Sequence, residues 1–96
     1  MVEKSIKIGA DCIIAWDVTI SDSDWHNIDG SERIRDTTIG DRVWIAHGVS
    51  VLKGASIPNG CIVGAKSMVA AGTFPEKSLL AGIPAKVIRS NVEWKR

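Results

Sequence analysis

Large aliphatic residues recur along this chain at Ile8, Ile14 and Ile20, and again at Ile39, Ile45, Val51, Ile57, Val63 and Val69, nine positions on a strict step of six. The fifth residue of each hexad is small or β-branched: Cys12, Val18, Val43, Val49, Ala55, Cys61, Ser67 and Thr73. Gly or another small residue usually follows the lead aliphatic, as in Ile8-Gly9, Ile14-Ala15, Ile39-Gly40, Ile45-Ala46 and Val63-Gly64. Neither the 3.6-residue period of a helix nor the simple alternation of a strand accounts for a step of six. A hexad made of one short extended piece and one corner does. β-branched leads favour the extended piece, while Gly40-Asp41 and Asn59-Gly60 suit corners with unusual backbone angles. Three hexads then close an 18-residue triangular coil, which sets Ile39 over Ile57, Ile45 over Val63 and Val51 over Val69. The spacing predicts an all-β chain, a parallel β-helix with an aliphatic stack inside.

The period breaks once. From Ile20 to Ile39 the step is 19 residues, and the polar segment between them includes Asp22-Ser23-Asp24-Trp25-His26-Asn27. Ile28 and Ile34 are six apart, so the segment reads either as a distorted pair of hexads or as a loop leaving a corner. Polar excursions from a rigid scaffold commonly carry site residues. Pro58, Pro75 and Pro84 mark corners and the exit from the last coil, because Pro cannot donate to an interior ladder. From Pro75 onward the period is gone, and Gly82-Ile83-Pro84 opens a tail suited to capping the exposed strand edges of a terminal coil. The organisation expected is one domain over 1–96, with a loop or distorted hexads at 21–38, regular coils at 39–74 and a capping tail at 75–96.

Composition narrows the function. With 12 basic residues against 11 acidic ones and a net charge of +1 over 96 residues, the chain has no electrostatic footprint for nucleic acid or an anionic membrane. At 45% hydrophobic and 24% charged it is ordinary globular material. No apolar run approaches the roughly 20 residues of a membrane span, and Met1-Val2-Glu3-Lys4 is no signal peptide, so a cytoplasmic protein is expected. A chain this short buries only about 60–65% of its unfolded surface, which favours self-association. Cys12 and Cys61 lack zinc-type spacing and read as small buried hydrophobes.

Three runs resemble the hexapeptide-repeat acyltransferases: Ile39-Gly40-Asp41-Arg42-Val43-Trp44-Ile45-Ala46, Val63-Gly64-Ala65-Lys66-Ser67-Met68-Val69, and Ala81-Gly82-Ile83-Pro84-Ala85-Lys86-Val87-Ile88-Arg89. The resemblance covers nearly the whole chain. It implies a single-stranded left-handed parallel β-helix of about three or more triangular coils, and a homotrimer that binds acetyl-CoA between subunits. The left hand comes from the resemblance alone, since parallel crossovers are ordinarily right-handed.

Residue by residue, the segment Asp22-Ser23-Asp24-Trp25-His26-Asn27 is similar to the stretch carrying the catalytic His in the family's sugar and polysaccharide O-acetyltransferases, as is the preceding Ile14-Ala15-Trp16-Asp17-Val18-Thr19-Ile20, which makes His26 the expected general base. A neutral imidazole can take the proton of an acceptor hydroxyl as that oxygen attacks a thioester. Asp22, Asp24 or a backbone carbonyl would orient its ring. Trp44 matches the Trp of the family's Val-Trp-Ile-Gly motif, beside the cofactor arm and the acceptor site. His47 stands where relatives have a small residue, and reads as a coenzyme contact, an alternative base or a solvated corner residue. Ala65 and Ala70 match positions that offer backbone groups to pantetheine, and Lys86 and Arg89 match basic positions near the nucleotide phosphates. Ala71 stands where many relatives have Lys or Arg, which removes one cation of the usual set.

The function expected is therefore direct acetyl transfer from acetyl-CoA to a hydroxyl of a sugar or polysaccharide, or of another small molecule, with no metal. No Ser or Cys nucleophile with a neighbouring base argues for an acyl-enzyme. Two other readings compete: a non-catalytic or truncated β-helix scaffold, and a zinc lyase of the γ-carbonic-anhydrase type, which needs three imidazoles where this chain has two His.

Overall fold

The computed structural model of the protein describes residues 6–20 and 37–94. Within them lie twelve short strands: β1 (Ile6–Ile8), β2 (Ile13–Ile14), β3 (Thr19–Ile20), β4 (Thr37–Ile39), β5 (Trp44–Ile45), β6 (Ser50–Val51), β7 (Ala55–Ile57), β8 (Ile62–Val63), β9 (Met68–Val69), β10 (Gly72–Thr73), β11 (Leu79–Gly82) and β12 (Ala85–Arg89). They form three sheets, ordered β1-β4-β7-β10, β2-β5-β8-β11-β12 and β3-β6-β9, which are the first, second and third faces of a triangular prism. Every pairing is parallel except that of β11 with β12. No helix among the described residues is long and apolar enough to cross a membrane.

The stacking expected from the hexads is the register observed: Ile39 pairs with Ile57, Ile45 with Val63 and Val51 with Val69. Backbone N–H groups of one coil donate to carbonyls of the next, as from Gly40 to Ile57 at 2.7 Å and from Ala46 to Val63 at 3.0 Å. Lead and fifth positions point inward as far as Val69, whereas Thr73, a fifth position by count, is exposed and Gly72 stands opposite the buried Ala55. Val43, Ile45, Val49, Val51, Cys61, Val63 and Val69 are fully buried. Each such aliphatic contributes about 1.5–3 kcal/mol of transfer free energy. The first coil lacks a described coil beneath it, so Ile8 and Ile14, at the same slots, are 46% and 40% exposed.

Corners follow the same period. The residue three past each lead takes a positive φ near 60–80° at Asp11, Asp17, Arg42, Gly48, Gly54, Gly60 and Lys66. A non-Gly residue pays roughly 1–2 kcal/mol there. The glycine that follows a lead serves a different need. A Cβ on Gly40 would collide with Asn59 Oδ1, which accepts a hydrogen bond from the Asp41 N–H at 2.7 Å, and one on Gly9 would meet Asp41 Oδ1. Close approach, not an unusual angle, is why Gly9 and Gly40 are glycine.

Two irregularities shape the function. Ile8 pairs with Ile39, 31 positions on, whereas Ile39 pairs with Ile57, 18 positions on. Thirteen residues beyond one coil therefore separate β3 from β4, and they include His26. Further on, Thr73 pairs with Ser56 and Leu80 with Val63, a step of 17. One residue is dropped at the Ala70-Ala71 corner, and Gly72 takes φ 136° there, which L side chains rarely adopt. The six-residue count is lost at that corner, but the wall continues: β11, within the segment read from sequence as tail, still pairs in parallel with β8.

The true reversal comes at Ile83-Pro84. β12 turns back antiparallel on β11 and covers the end of the second sheet. The chain then descends the corner between the first and second faces, where the Val92 N–H donates to the Lys77 carbonyl at 2.8 Å and Trp94 is buried two coils below, against Arg42.

Candidate active site

The prism places the expected site residues on different surfaces. Trp44 lies on the outer side of the second face, 40% exposed, flanked in register by Ile13 and Ile62. Its ring meets Trp94 at 5.9 Å between centroids, tilted by 54°. Arg42, at the neighbouring corner, holds Trp94 from both sides of the contact. Its guanidinium donates to the Trp94 carbonyl and lies 5.1 Å from the Trp94 ring centre, and the Trp94 indole N–H donates to the Arg42 carbonyl. A cleft of about 230 Å³ runs beneath this strap, lined by Arg42, Gly60, Lys77, Val92, Glu93 and Trp94.

His47 and Ala65 share the corner between the second and third faces. The Lys66 N–H donates to the His47 carbonyl at 2.9 Å, which fixes Ala65 one rung above His47. Gly48 takes φ 72°, and a Cβ there would press on the Lys66 side chain, so the Lys66 stem lies across the corner. One rung below His47 is Trp16. Their rings stack with centroids 5.0 Å apart and 8° between planes, matching the ~4.8 Å spacing of the coils. The corner thus descends from the small Ala65 to two large flat rings.

Ala70 is on the remaining corner, between the third and first faces. That corner also holds both anchors of the segment carrying His26, since β3 pairs with β6 and β4 with β7. His26, Asp22 and Asp24 themselves lie outside the described residues. Lys86 and Arg89 are exposed on β12, opposite Ala81 and Leu79 at the end of the second sheet. One prism therefore brings His47 together with Ala65, and Ala70 together with the anchors of the His26 segment. It separates these two groups by the width of the third face, and Trp44 lies on the second face, three positions before His47.

Cys61 is fully buried; burial pushes its thiol pKa up, against the opposing backbone hydrogen bonds of Ser78 and Lys77. Such a thiol holds little thiolate and makes a poor nucleophile. Cys12 Sγ lies 3.1 Å from the Gly40 carbonyl, within the corner of the first coil.

Two residues that pattern reasoning passed over matter to the site. Trp16 occupies the slot two past its lead, the slot that His47 fills after Ile45 and Ala65 after Val63, so aligning the hexads by corner finds it. Trp94 lies beyond the periodic region, and no spacing signals it.

Residues 36–71 match the family model described as bacterial transferase hexapeptide (six repeats). The chain is 36% identical to the putative lipopolysaccharide biosynthesis O-acetyl transferase WbbJ of Escherichia coli K12, a match covering 90% of this chain and 50% of that one. It is 38% identical to the polysialic acid O-acetyltransferase of Escherichia coli O1:K1, over 96% of this chain and 32% of the relative. The crystal structure of the polysialic acid O-acetyltransferase OatWY superposes with a TM-score of 0.80 at 35% identity, over 95% of this chain and 46% of OatWY. The chain spans half or less of the length of these relatives. The chain belongs to the hexapeptide-repeat transferases and carries their left-handed β-helix.

Proposed function

We propose that this chain is the β-helical part of an acetyl-CoA-dependent O-acetyltransferase whose acceptor is a sugar or polysaccharide hydroxyl. The observation that carries the reading is the likeness, over nine-tenths of the chain or more, to proteins described as O-acetyltransferases of lipopolysaccharide and polysialic acid.

The surface suits an extended acyl donor. Above His47 the corner carries the small Ala65 with the Lys66 stem beside it, so a narrow arm can lie over Ala65 along the backbone, and Lys86 and Arg89 supply cations at the C-terminal end for phosphates. Bound acetyl-CoA supplies the activated acyl group as a thioester. His26 takes the proton of the acceptor hydroxyl as its oxygen bonds to the acyl carbon. Backbone N–H groups or a loop side chain steady the oxyanion, the C–S bond breaks, and CoA departs as thiol. Transfer is direct within a ternary complex, in keeping with the buried, weakly acidic Cys61.

The working unit in this reading is a homotrimer. The segment carrying His26 is anchored at the third–first corner while His47 and Ala65 occupy the second–third corner, so a ligand would meet both sets where the corners of two copies adjoin. The protein acts in the cytoplasm, where its donor is made.

The test is transfer of radiolabelled acetyl from acetyl-CoA to a panel of oligosaccharides bearing N-acetylglucosamine, galactose or sialic acid, with sedimentation of the active species. Ester formed by a trimer is the expected result. A folded protein that neither binds CoA nor acetylates any panel sugar contradicts the reading.

A further inference from the structure

We infer that Trp94 is a positioning residue for Trp44: it fixes the rotamer of that indole on the outer side of the second face, beside the corner proposed to carry the acyl-donor arm. The inference rests on the transferase reading given above. The in-register neighbours Ile13 and Ile62 border Trp44 along the axis of the prism. They leave the ring free to lean along its own strand, toward either corner, as side chains on a sheet do. Trp94 decides which way. Its indole N–H donates at 3.0 Å to the carbonyl of Arg42, two residues before Trp44, and its ring meets the Trp44 ring at 5.9 Å with 54° between planes. Trp94 therefore fills the space on the Arg42 side of Trp44, and the rotamer that leans fully toward the first–second corner is closed.

The wedge is itself immobile. The Arg42 guanidinium donates to the Trp94 carbonyl at 3.0 Å and lies 5.1 Å from the Trp94 ring centre, and the Val92 N–H ties the same strap to the Lys77 carbonyl at 2.8 Å. Trp94 cannot follow Trp44 if that ring swings away. A tilted aromatic pair favours its arrangement by roughly two- to tenfold, enough to select one of the three staggered wells open to a side chain. The two rings divide the work by exposure. Trp44 is 40% exposed and can touch a ligand, whereas Trp94 is 9% exposed and acts only through its neighbour.

Apparent affinity falls in proportion to the population of the binding-competent state. Freed among three wells of similar energy, Trp44 would hold the competent one about a third of the time, so Trp94→Ala should raise the acetyl-CoA Kd about threefold by calorimetry on the full chain. A variant that was merely less stable would bind fewer equivalents at an unchanged Kd. Trp94→Phe keeps the wedge and should keep the wild-type Kd. On a Trp44→Ala background, Trp94→Ala should add no further rise, because the ring it acts through is gone. Three-bond Hα–Hβ couplings of Trp44 should report a single χ1 rotamer in wild type and Trp94→Phe, and an average in Trp94→Ala. If Trp94→Ala does not fold, Trp94→Leu takes its place with the same outcome expected. An unchanged Kd, a rise of equal size on both backgrounds, or a single Trp44 rotamer retained without Trp94 overturns the positioning role while the transferase reading stands. If the wild type binds no acetyl-CoA, the transferase reading fails. The couplings then decide alone: averaging without Trp94 upholds the positioning of Trp44, and a retained rotamer overturns it.

Discussion

Trp94 and Arg42, 52 positions apart in the chain, hold each other by two opposed hydrogen bonds: the indole N–H to the Arg42 carbonyl and the guanidinium to the Trp94 carbonyl, each at 3.0 Å. With the guanidinium stacked over the indole, this pair fastens the C-terminal strap across two coils and sets one side of the Trp44 environment. Trp94→Ala should destabilise the protein by about 3 kcal/mol, within the usual range for losing a buried Trp. Trp94→Phe keeps ring packing and loses the N–H, so about 1 kcal/mol is expected. Urea midpoints of the two variants check the order, and equal midpoints would show that the strap does not bind through Trp94.

Gly40 tests the corner geometry. Gly40→Ala puts a methyl group onto Asn59 Oδ1 and against the Asn59 backbone N–H, and should cost about 2–3 kcal/mol. Removing the amide in Gly40→Ala/Asn59→Ala should recover little, because the backbone stays in the way and the bond to the Asp41 N–H is lost. A neutral Gly40→Ala would mean that adjacent coils can part at this corner.

Cys61 gives a pH dependence. Its folded thiol pKa lies above its ordinary value of 9.0 because burial disfavours the thiolate. Below about pH 9 the thiol is protonated in both states and its packing contributes in full. As pH rises past that value the unfolded chain loses the proton first, and stability falls until the raised folded pKa is passed. The fall in stability between pH 8 and 10.5 should therefore be shallower in Cys61→Ala than in wild type. Cys61→Ala should also retain acetyl transfer, whereas loss of turnover in a folded variant would point to an acyl-enzyme.

Most of the wall was legible before any coordinates, since two inward slots per hexad repeat through the chain and the register of Ile39, Ile45 and Val51 follows from counting. Counting fails at Ala70-Ala71, where one dropped residue shifts every later position, so Leu79 and Leu80 do not announce their strand. It also fails at Gly9 and Gly40, whose role depends on a side chain from the next coil. The site was legible only in part. Resemblance pointed to Trp44, His47, Ala65, Ala70, Lys86 and Arg89, but their distribution over separate faces depends on which corner each hexad turns, a property of the closed coil. The Trp16–His47 stack comes from residues 31 positions apart, brought together by the pairing of β2 with β5 and β3 with β6 across the thirteen-residue excess between β3 and β4.

The most direct measurement is single-turnover acetyl transfer by His26→Ala, with acetyl-CoA affinity measured by calorimetry on the same preparation. Loss of a general base lowers the rate by about a hundredfold to ten-thousandfold. That loss, with acetyl-CoA affinity retained, is the result expected. Transfer at a near-normal rate by His26→Ala would contradict the assignment of the base and, with it, the mechanism proposed for this β-helix.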